Sequence, residues 1–269
     1  MLTVAMCTPH GGLVRPDYYR YVLEMQGAFP QHRYVFIEVD TMIVGKARNM
    51  IVEASLSQNI DVIWQIDDDV IIPRDSGIMI DQCMELGVVS ALYYNRRMPY
   101  TPQAYSRATE KDFEGMYWSM IDLNPGQGLI RVDAVGAGCI ACRADIFRSL
   151  VEPWQERCNK AADAIEDVVL SGYVRNLSPW FEFLERKGED LYFSERLADM
   201  GIPIWLNSNV VCGHVGDAVI DQAQFNYIRD NGILQKVPVE GGPVLAPAAP
   251  TPAPSPDAVS FANVEGGVQ

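Results

Sequence analysis

The chain has 269 residues, 48% hydrophobic and 21% charged, an ordinary globular balance with enough apolar content for one substantial core. With 21 Lys and Arg against 35 Asp and Glu, the formal charge is −14 at pH 7. That argues against unaided tight binding to nucleic acid or an anionic membrane, since both recruit basic side chains to phosphates, though it leaves room for a local basic groove.

From the N-terminus, short apolar runs alternate with helical patterns. "LTVAMC" reads as a strand, "DYYRYVLEMQGAF" as a helix, "RYVFIEV" as a strand, "VGKARNMIVEASLSQ" as a helix and "DVIWQI" as a strand. A helix over "GIMIDQCMELG" and a strand "VVSALYY" follow, then a turn-rich stretch from Asn95 to Gly128 with Pro99, Pro102 and Pro125. "LIRVDAV" is a strand leading into "GAGCIAC", and "RADIFRSL" is a short helix. Residues 151–178 are charged and weakly periodic and read as a mobile stretch. "GEDLYFSERLADMG" has acids in its first turn and a Gly after its end, as a helix favours. "PIWLNSNVVCGHVG" closes the core with one or two strands. Alternating β and α elements imply a mainly parallel, Rossmann-like sheet flanked by helices, in one α/β domain over residues 1–236. From Val237 seven of the chain's seventeen prolines fall in a segment with no Lys or Arg, so residues 237–269 read as a disordered Pro/Ala-rich tail.

The opening "MLTVAMCTPHGG" lacks a basic head and breaks too early for a secretory signal, and no apolar run reaches the ~18 residues of a membrane span. Six scattered cysteines in a chain of this size suggest reduced thiols. A soluble, cytoplasmic protein is therefore expected. Cys139 and Cys142 form a CxxC, but no second CxxC or nearby His completes four zinc ligands, and two small residues in a packed strand are the simpler reading.

The chemistry concentrates in three places. Asp67, Asp68 and Asp69 directly follow "DVIWQI", and ligands of parallel α/β sheets collect at the carboxyl ends of strands. Adjacent carboxylates repel unless given a cation, donors or water; a hard divalent ion such as Mg²⁺ or Mn²⁺ is one answer and a hydrated acidic turn the other. His214, one of three histidines, sits between glycines in "CGHVG" and adds an imidazole that favours Mn²⁺ over Ca²⁺. Glu189 and Asp190 start a helix, where they either cap backbone N–H groups or supply a general base; the helix terminus lowers a carboxylate pKa, so burial must offset it if Asp190 is a base. "GAGCIA" lacks the G-x-G-x-x-G pattern and suits a bulge or close substrate approach instead.

In their order, "ARNMIVEA…DVIWQIDDDVIIP", "VDAVGAGCIACRADIF", "WFEFLERKGEDLYFSERLADMGIPIW" and "CGHVG" resemble nucleotide-sugar glycosyltransferases of the A-type (GT-A) fold, close to glycosyltransferase family 2 and its short stand-alone bacterial and phage members. The resemblance covers about residues 1–215. It implies a single sugar transfer from a nucleotide-diphosphate sugar, a UDP-sugar first among them, to an acceptor hydroxyl, with Mn²⁺ or Mg²⁺ as cofactor. It further implies that Asp69 and His214 ligate the metal, with Asp67 as a water-mediated or ribose partner and Asp68 as the variable middle position. Gly136, Ala137 and Gly138 would line donor sugar and acceptor, Thr8, Pro9, Asp40, Arg48 and Asn49 the nucleoside, and Gly188-Glu189-Asp190 would place the base at Asp190 if the enzyme inverts. The Gln-x-x-Arg-Trp element of processive synthases is missing, which favours a single transfer.

"YYNRRMPY" and "SPWFEF" offer aromatic faces and Arg forks for an acceptor, although Tyr93, Tyr94, Trp180 and Phe181 read equally as core. The acceptor is left open among a glycan, a protein side chain and a hydroxylated DNA base. Two rivals stand beside this reading: a haloacid-dehalogenase-like phosphatase with Asp67 as nucleophile, and a non-catalytic nucleotide-sugar-binding module.

Overall fold

The computed structural model describes residues 1–109, 115–184, 187–216 and 219–230. The tail expected over 237–269, and with it the domain boundary at 236, lies outside the described residues.

The first half alternates as its apolar pattern predicts: β1 (Thr3–His10), α1 (Pro16–Ala28), β2 (Arg33–Asp40), α2 (Val44–Leu56), β3 (Val62–Ile66), β4 (Val70–Ile71), a 3-10 turn, α3 (Ile78–Leu86) and β5 (Val88–Leu92). The second half adds β6 (Ala104–Arg107), β7 (Tyr117–Ser119), β8 (Leu129–Val132), β9 (Ala134–Val135), β10 (Cys139–Arg143), α4 (Ala144–Ser149), α5 (Val151–Asp163), α6 (Val168–Arg175) and α7 (Glu189–Asp199). β11 (Ile204–Val211), β12 (Gly213–Val215), β13 (Val219–Ile220) and α8 (Gln222–Asp230) complete it.

Seven strands form the central sheet in the order β2-β1-β3-β10-β5-β11-β8. β1 runs parallel to β2 and β3, and β11 parallel to β5, whereas β10 and β8 are antiparallel to their neighbours. The sheet is thus mainly parallel, as expected, with one reversed strand in its middle. Both faces are covered. Ile63 packs in a cluster with Ile51 and Val52 of α2 and with Phe147, Phe181 and Phe193, while Val62, Trp64 and Ile66 face Val22 and Met25 of α1 and Met79 of α3. Complete burial of β3 explains its unbroken apolar run.

Two smaller sheets sit on this frame, β13-β12-β4 and β7-β6-β9. Residues 151–178 are two helices, not the mobile stretch expected. In α5 the inward contacts reduce to Trp154, Cys158 and Ala162, one residue per turn, so the apolar stripe is too narrow to stand out from the charges around it. Arg196 lies over Trp154 at 4.1 Å, and Asp167 caps α6 by accepting from Leu170 N at 2.8 Å. All six cysteines are unpaired and buried; Cys139 and Cys142 face opposite sides of β10. Among the described residues no helix is long and apolar enough to cross a membrane.

The reversed β10 does the positioning. Its first residue pairs with the last of β3, Cys139 opposite Ile66, and Asp67 N donates to Gly138 O at 2.9 Å. Gly136, Ala137 and Gly138 therefore lie against the aspartates. Tyr93, just after β5, supports them from below, its hydroxyl accepting from Gly138 N at 2.8 Å. A Cβ on Gly136 would meet that hydroxyl oxygen at 2.2 Å and Gln103 Cβ at 3.2 Å. Gly136→Ala should cost about 1–3 kcal/mol by urea denaturation, and a smaller amount in a Tyr93→Phe background. Equal costs in the two backgrounds would show that the hydroxyl is not what excludes a side chain.

Candidate active site

One side chain joins the separate pieces. Arg48, on α2 and 2% exposed, donates from Nη2 to Asp67 Oδ1 and Oδ2 at 2.9 and 3.1 Å. Its Nη1 reaches Gln65 Oε1 at 3.1 Å and Ala137 O at 3.2 Å, and its Nε reaches Glu189 Oε1 at 3.3 Å. All three guanidinium nitrogens thus meet protein acceptors, in five contacts. Burial opposes its charge, but Asp67 and Glu189 outweigh burial and raise its pKa. The expectation that Arg48 contacts a nucleoside is corrected: its donors are committed to β3, the glycine segment and α7.

Asn49 and Thr8 are likewise taken up by protein partners, whereas Asp40 is open to solvent. Asn49 binds the 178–181 segment, donating to Phe181 O at 2.7 Å and accepting from Ser178 Oγ at 2.8 Å. Thr8 is fully buried and its hydroxyl donates to that of Tyr18. The Asp40 side chain is 67% exposed and lies 4.0 Å from His10 Nδ1. Pro9, by contrast, lines a cavity of about 210 Å³ together with His10, Gly11, Thr41, Met42, Val44 and Asp67, Asp68 and Asp69. A larger hollow of about 770 Å³, between Arg107, Trp118, Asp122 and Ile130, holds none of the site residues expected from the sequence.

The three aspartates have three environments. Asp67 is bound by Arg48, yet burial first, and then the charges of Asp69 and Glu189, push its pKa up to about 6. Asp68 is partly exposed, and burial and Asp69 raise its pKa. For Asp69 burial acts upward, but His214 and Arg96 outweigh it and the pKa falls. His214 reaches this point because β12 pairs with β4, setting His214 opposite Val70, and Val215 N donates to Asp69 O at 2.8 Å.

The tautomer of His214 follows from its neighbours. Nδ1 lies 2.7 Å from Tyr94 O, which can only accept, so Nδ1 carries a proton. In the neutral ring, Nε2 then presents its lone pair to Asp69 Oδ1, 3.4 Å away. Two lone pairs face each other, an arrangement that calls for a proton or a metal ion. Burial disfavours the charged ring, while the bond and charge of Asp69 outweigh it and raise the His214 pKa. An imidazole nitrogen and a carboxylate oxygen suit Mn²⁺ or Mg²⁺, with Mn²⁺ better matched to the nitrogen. Asp67 is turned to Arg48 instead, and no group of three His, Cys, Asp or Glu converges on one point among the described residues.

Glu189 and Asp190 do begin α7, and they have different partners. Glu189 is buried and pairs with Arg48. Asp190 accepts from Leu191 N at 2.7 Å, and burial first, then the charge of Glu189, raises it to about 7. Burial thus wins over the helix terminus. Tyr93, Tyr94, Trp180 and Phe181 are all buried core residues. Sequence reasoning missed Gln65 and singled out no residue of the Arg pair after Tyr94, of which Arg96 donates to Asp69 Oδ2. The pair's place just beyond a strand end was the available signal.

No protein-family model and no curated protein matches the chain. Among solved structures it is similar to A197 from STIV, with TM-score 0.53 and 16% identity, over 83% of this chain and 92% of that one. At that identity the likeness establishes a shared fold. GalNAc-T7 with UDP, GalNAc and Mn²⁺ is similar over 80% of this chain and 44% of its own, with TM-score 0.44 and 9% identity. A glycosyltransferase involved in glycosylation of the major capsid of PBCV-1 is similar over 56% and 69% of the two chains, with TM-score 0.31 and 10% identity.

Arg48→Met leaves Asp67 and Glu189 buried without their counter-charge and should cost about 3–5 kcal/mol in urea denaturation, less when Asp67→Asn is added; a cost below about 1 kcal/mol would remove Arg48 as the hub. Asp67 and Asp190 also set a pH dependence. Their folded pKa values, about 6 and about 7, exceed the unfolded value of about 3.9, so the native state binds more protons in that window. Their contribution to stability is full below about pH 4 and is lost as pH rises to about 7. Asp190→Asn should therefore raise the melting temperature relative to the parent more at pH 8 than at pH 5; an equal difference at both would place Asp190 in an ordinary carboxylate environment.

Proposed function

We propose that the protein is a metal-assisted glycosyltransferase that moves one sugar from a nucleotide-diphosphate donor, a UDP-sugar first among them, to an acceptor hydroxyl. The observation that carries the reading is the Asp69–His214 pair, whose fixed tautomer aims two lone pairs at one point beside a cavity. The order of the four sequence segments resembling GT-A enzymes supports it, as does the α/β frame that brings their ends together.

Asp69 and His214 would hold the ion, which supplies charge stabilisation to a departing nucleoside diphosphate. The remaining work belongs to the chain. Asp190, raised to about 7, is a stronger base than an ordinary carboxylate once ionised and accepts the proton of the acceptor hydroxyl. Glu189 is engaged by Arg48 and raises the Asp190 pKa through its charge. Glycines 136 and 138 make room for the Tyr93 hydroxyl that supports the segment beside the aspartates. The phosphatase rival is disfavoured because both oxygens of Asp67, its nucleophile, accept from Arg48.

Purified protein with MnCl₂ and a panel of UDP-, GDP- and CMP-sugars should release nucleotide from one of them. Asp69→Asn and His214→Ala should each lower metal-dependent turnover at least about a hundredfold. Asp190→Asn should retain nucleotide binding and lose transfer, and the parent rate should rise with pH through about 7. Native-rate transfer by Asp190→Asn would sink the base assignment.

A further inference from the structure

The cavity at the aspartates poses a charge problem. Its lining includes Asp67, Asp68 and Asp69 and no Lys or Arg. A diphosphate entering it needs positive charge beyond a single ion, and Arg48 is buried with its charge taken up by Asp67 and Glu189. Arg96 is the remaining guanidinium in contact with the cluster among the described residues: it donates from Nη1 to Asp69 Oδ2, and its side chain is 48% exposed. One oxygen of Asp69 therefore faces His214 and the other faces Arg96.

Arg96 also stands where it can move. Its segment leaves and rejoins the core at a clamped base, with Asn95 N donating to Thr101 O at 2.8 Å and Gln103 N to Tyr93 O at 2.9 Å. Beyond that base, Arg96, Arg97 and Met98 are exposed, so turning the Arg96 side chain disturbs no buried packing.

We propose, resting on the metal-binding reading of Asp69 and His214, that Arg96 is an exchangeable counter-cation: it neutralises Asp69 until a divalent ion takes that carboxylate, and then binds the diphosphate oxygens. A planar fork of N–H groups fits two phosphate oxygens at once. The exchange makes opposite demands on one side chain. Towards the ion alone Arg96 is a competitor; towards diphosphate in the presence of the ion it is a ligand. Ion and diphosphate are thereby coupled, each favouring the other.

The test is calorimetric titration of the full chain with MnCl₂ alone, then with inorganic pyrophosphate at saturating MnCl₂, for the parent, Arg96→Gln, Arg96→Lys and Asp69→Asn, with melting curves to confirm folding. Arg96→Gln should bind Mn²⁺ about three- to fivefold more tightly, the scale of a partly exposed ion pair. It should bind pyrophosphate about tenfold more weakly, the scale of a lost charge-assisted contact. Arg96→Lys should fall between parent and Gln in both. A purely structural role would shift both affinities in the same direction and overturns the exchange, as does an unchanged affinity for either probe. Asp69→Asn distinguishes the two levels. If it loses Mn²⁺ while Arg96→Gln behaves as the parent, only the role of Arg96 fails; if it binds Mn²⁺ as the parent does, the metal reading fails and takes the exchange with it.

Discussion

A single buried guanidinium holds the site in register. Arg48 comes from α2, Asp67 and Gln65 from the β3 end, Ala137 from the glycine segment and Glu189 from α7, and each contributes an acceptor to the same planar group. A guanidinium has fixed donor directions, so the acceptors are fixed relative to one another. The charge is what makes the junction demanding. Arg48 alone in the core would be costly, as would Asp67 and Glu189; together they form a compensated cluster whose residual negative charge keeps neighbouring carboxyl groups reluctant to ionise. Asp190, itself partly buried and next in the chain to Glu189, shares that reluctance.

The three consecutive aspartates show how little the residue type decides. Asp67 is held by an arginine, Asp68 lines the cavity partly in solvent, and Asp69 is gripped from two sides. Two are harder to ionise than usual and one is easier, and their partners Arg48, Arg96 and His214 lie 19 or more residues away in the chain.

Much of this frame could be read from residues in order. The unbroken apolar run of β3 announced a strand covered on both faces, and its abrupt end in carboxylates marked the end at which a cavity opens. The Glu189-Asp190 pair before an apolar helical repeat marked the start of α7. His214 between glycines proved to lie beside Asp69, although only the β12–β4 pairing explains how it gets there. What stayed hidden depends on long-range pairing. Arg48 sits within a helical pattern where an arginine ordinarily faces water, and nothing local says that it turns inward. Asn49 and Thr8 were plausible ligands by type and place, but a polar side chain in a core must find partners, and the protein itself supplied them. The narrow inward stripe of α5 was lost among charges because one apolar residue per turn carries little periodic signal.

The reversal of β10 has a consequence for how the chain assembles. The slot between β3 and β5 is filled by residues 139–143, and β11, the next strand out, arrives only at residue 204. As the polypeptide leaves the ribosome, the first five major elements can collapse around β1, β2 and β3, but β3 presents an unsatisfied apolar edge until some seventy further residues have emerged. The middle of the sheet is therefore among the last parts to close, and nascent chains stalled before Cys139 are the ones most exposed to sticking to each other or to a chaperone.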